Sequence, residues 1–127
     1  MTVPSRLLDS AAEQVRAFNH VSRDTGDEWR FPSHSYDALG NLAHLVRMLG
    51  QAIEQATFPA ERTHRAGRLI IDGGLDADEQ VRRMRNALAA ASTHATDLAA
   101  ALDRMHSATS PMAVDTTGLV GFEDGEA

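Results

Sequence analysis

A chain of 127 residues, 43% hydrophobic and 24% charged, has the composition of one globular domain, and its 5% aromatic content points to a core of Leu, Val, Met and Ala. With no cysteine it can form no disulfide, no thiolate zinc site and no Cys nucleophile. The net charge of −6 excludes the concentrated positive field of a typical nucleic-acid binder, and Asp115, Glu123, Asp124 and Glu126 concentrate acid after Thr109, where no Arg follows.

Three helical stretches are predicted, in chain order. The first begins near Ser5, an N-cap after Pro4, and carries Leu8, Ala11, Val15 and Phe18 at helical spacing until a turn-rich loop near Arg23. The second follows Pro32, with Ser33 or Ser35 as cap and a seam of Leu39, Leu42, Val46, Leu49, Ile53 and Ala56. Pro59 ends or kinks it, because proline removes one helix hydrogen bond and clashes with the preceding turn. A short helix is expected near 60–68, and Leu69-Ile70-Ile71 reads as an apolar plug without a partner strand. The third stretch, capped by Asp76 or Asp78 and closed by Ser110-Pro111, carries Val81, Met84, Leu88, Ala91, Ala95, Leu98, Leu102 and Met105 at alternating steps of three and four. That is a heptad seam, and its Ala91-Ala95 waist admits close helix contact.

Together these elements predict an all-α antiparallel three-helix bundle over 1–110, four-helical if the short piece counts, followed by a flexible acidic tail over 111–127. The first helix is too short to cover the whole third one, so the 60–72 segment, the tail or a second copy of the chain must do so. No apolar run reaches the ~20 residues that span a bilayer, and Met1 to Ser10 lacks the layout of a signal peptide, so no membrane contact and a cytoplasmic location are expected.

Chemistry is sparse. Glu61-x-x-His64 and Asp103-x-x-His106 each set a carboxylate and an imidazole one turn apart, as in di-iron carboxylate bundles, but the further inward Glu residues of such a site are missing. A magnesium-dependent pyrophosphatase bundle needs clustered acidic pairs, and the second helix has only Asp37 and Glu54. No phosphate-binding loop, zinc-protease or nucleophile-elbow motif occurs. Arg62, Arg65 and Arg68, and then Arg82, Arg83 and Arg85, are balanced by nearby acids. Trp29, Phe31 and Tyr36 gather half of the six aromatic residues into one region, either a hydrophobic cover or an anchor for a partner. Leu119, Val120 and Phe122 make the tail a docking peptide or a disordered extension.

Phe18-Asn19-His20, Tyr36 to Leu42, His64 to Arg68 and the Ala-rich run ending at Leu102 resemble a group of short actinobacterial helical proteins without assigned activity. That resemblance, over roughly residues 10–110, implies an all-α fold and a bacterial source. A fainter one is to the WXG-type helical hairpins, although Trp29-Arg30-Phe31 is not Trp-x-Gly and Gly40 stands where their acid follows Tyr36. The expected function is a non-enzymatic helical interaction protein that binds itself or a protein partner, with no cofactor and no metal. The alternatives are a small metal- or nucleotide-dependent helical enzyme and a nucleic-acid-associated accessory protein.

Overall fold

The structure is a computed structural model and describes residues 1–23 and 26–118. The described residues are all-α: α1 Val3–Val21, α2 Pro32–Ala56, α3 Phe58–Arg65 and α4 Ala77–Thr109, three long helices and one short one in the expected order. They divide into two compact units, residues 1–34 with 112–118 and residues 35–111.

Proline opens three of the helices. Pro4, Pro32 and Pro59 all lie in a first turn, where the missing N–H has no helical acceptor anyway. A cap must therefore precede the proline or reach back across it. At α1 the cap is Thr2, whose hydroxyl accepts the Ser5 N–H at 3.3 Å, so Ser5 is already inside the helix. At α2 neither Ser33 nor Ser35 is seen to cap. His34 Nδ1 accepts the N–H groups of Arg30 at 2.9 Å and Phe31 at 3.2 Å, the task a Glu performs in a capping box.

Pro59 produces the expected break. Thr57 keeps helical angles (φ −85°, ψ −10°), its N–H bonding to Glu54 O at 3.1 Å, and α3 starts at Phe58 as a kinked continuation. α3 then stops abruptly. Gly67 adopts φ +69°, its N–H bonds to His64 O at 2.9 Å, and the Arg68 N–H bonds to Thr63 O at 3.2 Å. This pair of bonds is a Schellman motif, in which only glycine enters the left-handed region without a Cβ penalty. In the loop that follows, Ile70 is 85% exposed, so the expected Leu69-Ile70-Ile71 plug is not sealed. Asp76 caps α4 by accepting the Asp78 N–H at 3.2 Å.

Residues 35–111 form an antiparallel hairpin, α2 and α3 running against α4. Tyr36 meets His106, Arg47 pairs with Asp103, Val46 and Gly50 face Ala99 and Ala95, Glu61 binds Arg85 and His64 binds Asp78. As one position rises its partner falls, which fixes the register along the hairpin. Its buried residues are Ala43, Val46, Val81 and Ala99, all small or β-branched. Small side chains let the helices approach closely but remove little area from water.

The contact line departs from the predicted seams. Of the α4 set, Val81 is buried, and Met84, Leu88, Ala91, Ala95 and Leu102 are half-buried, but Leu98 and Met105 are 51% and 52% exposed. Ala99 and His106 turn inward in their place. On α2, Leu49 and Ala56 are exposed while Ala43 and Gly50 take the inner positions. The cause is geometric: a straight helix turns 3.6 residues per turn, so a strict seven-residue repeat drifts by about 20° per heptad.

In the first unit every residue of α1 is exposed, including Leu7 at 66%, Leu8 at 52%, Val15 at 40% and Phe18 at 36%. Leu8, Ala11, Val15 and Phe18 share one side of α1, whereas Arg6, Asp9, Glu13 and Arg16 lie on the other, where Glu13 and Arg16 pair at 3.5 Å.

Candidate functional site

At 100° per residue the hairpin has two unlike faces. The first carries the polar contacts. Arg47 and Asp103 form an ion pair across it, each side chain about half exposed. Next to that pair lies a shallow recess of 360 Å³ between Val46, Gly50, Ala95 and Ala99. Further along, the Arg85 guanidinium donates twice to Glu61, Nε to Oε1 at 2.8 Å and Nη2 to Oε2 at 2.7 Å. This bidentate bond holds the Glu61 carboxyl below the usual carboxylate range and raises Arg85 above its own, against a smaller opposing effect of desolvation on each. One turn on, His64 Nε2 donates to Asp78 Oδ1 at 2.7 Å, and its buried Nδ1 has no hydrogen-bond partner among the described residues.

At the other end of this face the His106 ring lies 4.0 Å from that of Tyr36, with Gly40 beneath it. A Cβ on Gly40 would sit 3.0 Å from His106 Nε2, so the absent side chain makes room for the imidazole.

The Glu61/His64 and Asp103/His106 pairs do not converge on a common point. Glu61 is held by Arg85, His64 by Asp78, Asp103 by Arg47, and His106 stacks on Tyr36. Among the described residues no three His, Asp or Glu side chains gather where they could hold a metal ion. Of the two arginine groups, Arg82 and Arg83 both bind Glu79, at 2.8 Å and 3.3 Å.

The three aromatics make separate contacts. Trp29 packs edge-on against Phe18 with centroids 5.5 Å apart and planes at 89°, and its N–H closes a turn onto Gly26 O at 3.0 Å. Phe31 lies 5.5 Å from the His34 ring and under the Arg30 guanidinium, while Tyr36 belongs to the His106 stack. Leu119, Val120 and Phe122 lie outside the described residues. Nearer in the tail, Asp115 Oδ1 accepts the Thr117 N–H at 3.0 Å, which lowers the Asp115 pKa.

The second face of the hairpin is apolar. Leu45, Leu49 and Ile53 of α2 and Ala91, Leu98 and Met105 of α4 lie on it, and between Ala87 and Met105 no carboxylate or guanidinium interrupts it. His94 stands at its margin. Leu49 and Leu98 are level with each other, because Val46 and Gly50 on either side of Leu49 face Ala99 and Ala95.

Sequence reasoning missed His34, Gly40 and Arg47. His34 had a legible signal, standing at the third helical position behind Pro32, where a capping acceptor belongs. Gly40 and Arg47 depend on the register between α2 and α4, which no local pattern encodes. No described helix is long and apolar enough to cross a membrane. No known family profile, curated protein or solved structure matches the chain.

Proposed function

We propose that this chain is a non-enzymatic helical interaction protein, acting by contact with a second protein chain, its own copy or a partner. One observation carries the reading: α1 is a capped, 19-residue amphipathic helix with an exposed apolar side and its acids and arginines turned away from that side. A helix of this kind gains most of its stability from burying the apolar stripe, and an uncovered stripe marks a contact surface. The polar groups of the hairpin support the same reading, since the acids and bases that chemistry would need are engaged in structural pairs.

The test uses Leu8→Glu/Val15→Glu. Both side chains are exposed, so helical circular dichroism should persist. Contact through α1 should be lost, measured by affinity capture, on the immobilised chain, of whatever partner the wild type retains. Unchanged capture by the variant would overturn the reading. So would stoichiometric metal in the purified protein or Mg²⁺-dependent nucleotide hydrolysis, either of which favours the enzyme alternative.

A further inference from the structure

The two-faced hairpin identifies a second contact surface and its occupant. Leu49 and Leu98 sit level at the middle of the apolar face, 39% and 51% exposed, with Met105 at 52% towards one end. Beneath them the hairpin closes only on small and β-branched residues, and no large side chain is fully buried. A single layer of two helices covers its apolar residues from one side only, and stable domains place a second layer over the other.

We infer that this face is where a second copy of the chain docks, two hairpins packing face to face about a two-fold axis into a four-helix bundle. The inference rests on the contact reading above and names the partner for one surface. Length favours a second copy. From Ala87 to Met105 the α4 side of the face extends about 27 Å, whereas the α1 stripe from Leu8 to Phe18 extends only about 15 Å. A second hairpin matches that length by symmetry. Area allows it too: about 27 Å by the ~20 Å width of two helices is roughly 540 Å² per partner, or about 1,100 Å² in total, which clears the ~1,000 Å² expected of a biological interface. Charge allows it. In a two-fold contact the same patch meets itself, so a face with fixed charge at its centre would meet its own sign, and this one has none between Ala87 and Met105. The interhelix ion pairs Arg47–Asp103 and Glu61–Arg85 remain on the opposite, wet face.

Light scattering across micromolar to millimolar concentrations should give twice the 13.7 kDa chain mass. Leu49→Glu/Leu98→Glu should return the mass of one chain, with Gln55→Glu on the other face leaving the dimer intact. Should the double variant unfold, the absence of native cysteine supplies a second measurement. Leu98→Cys should cross-link between copies with a short bis-maleimide, and Gln55→Cys should not. A dimer that survives Leu49→Glu/Leu98→Glu, or equal cross-linking at both cysteines, overturns the inference. A one-chain mass with α1-dependent capture of a partner intact overturns the hairpin dimer and leaves the contact reading standing. A one-chain mass with no association of any kind overturns both.

Discussion

Two glycines of α2 should respond in opposite directions to the same added methyl group. Replacing Gly by Ala inside a helix gains about 0.5–1 kcal/mol, because the unfolded chain loses freedom that folding no longer has to remove. At Gly50 nothing lies within 4 Å of the new Cβ, so the gain should appear whole. Unfolding entropy of about 2.1 cal/mol/K per residue over 127 residues makes this a rise in Tm of about 2–4 °C. At Gly40 the new Cβ meets the His106 ring at 3.0 Å, 3.4 Å and 3.5 Å, and that ring is backed by Tyr36 at 4.0 Å. Overpacking of this kind costs about 1–3 kcal/mol, so Gly40→Ala should lose about 1 kcal/mol net and lower Tm by about 4 °C. In Gly40→Ala/His106→Ala the clash is gone, and the helical gain should return as a favourable coupling. The assay is thermal unfolding by circular dichroism at one fixed protein concentration, since any association shifts Tm. A rise for Gly40→Ala equal to that for Gly50→Ala would show that the imidazole does not rest there. A fall for Gly50→Ala would show that the polar face, and not the apolar one, is covered in solution.

Acid should weaken the α3–α4 contact before it melts the helices. The Glu61 pKa is lowered on folding, first by the Arg85 hydrogen bond, so its contribution is complete above the ordinary carboxylate range and is lost as pH falls through the lowered value. Stability measured by urea unfolding should fall on that limb in the wild type and fall less in Glu61→Gln; an identical slope in both would refute the assignment. His34→Ala removes the acceptor of the Arg30 and Phe31 N–H groups and should cost about 0.5–2 kcal/mol, with faster amide exchange confined to the start of α2. Uniform loss of protection along α2 would show that His34 does something other than cap.

Much of the fold is legible in the sequence because helix ends are local. Asp76 before the first turn of α4 and Pro59 at the α2–α3 break both act through bonds to near neighbours, and both stand where the pattern put them. The caps at Thr2 and His34 were displaced from Ser5, Ser33 and Ser35 for one reason: proline takes a place inside the first turn, so a polar residue after it is already helical. The contact faces were less legible. An integer seven-residue repeat captures Val81 to Ala95 and then carries Leu98 and Met105 outward, because seven residues fall about 20° short of two full turns at 3.6 residues per turn. The pairs Arg47–Asp103, Glu61–Arg85 and His64–Asp78 join residues 56, 24 and 14 apart, set by the turn between helices rather than by spacing along either one.

That drift also sets how the hairpin could be lengthened or shortened. Removing seven residues from the middle of α4, with seven from α2, would twist everything beyond the cut by about 20° and begin to mix the wet and apolar sides. A block of about 18 residues, roughly five full turns, would leave both sides aligned. The natural ruler of this hairpin is therefore the plain helical turn, and grafts or truncations cut to coiled-coil measure would arrive rotated.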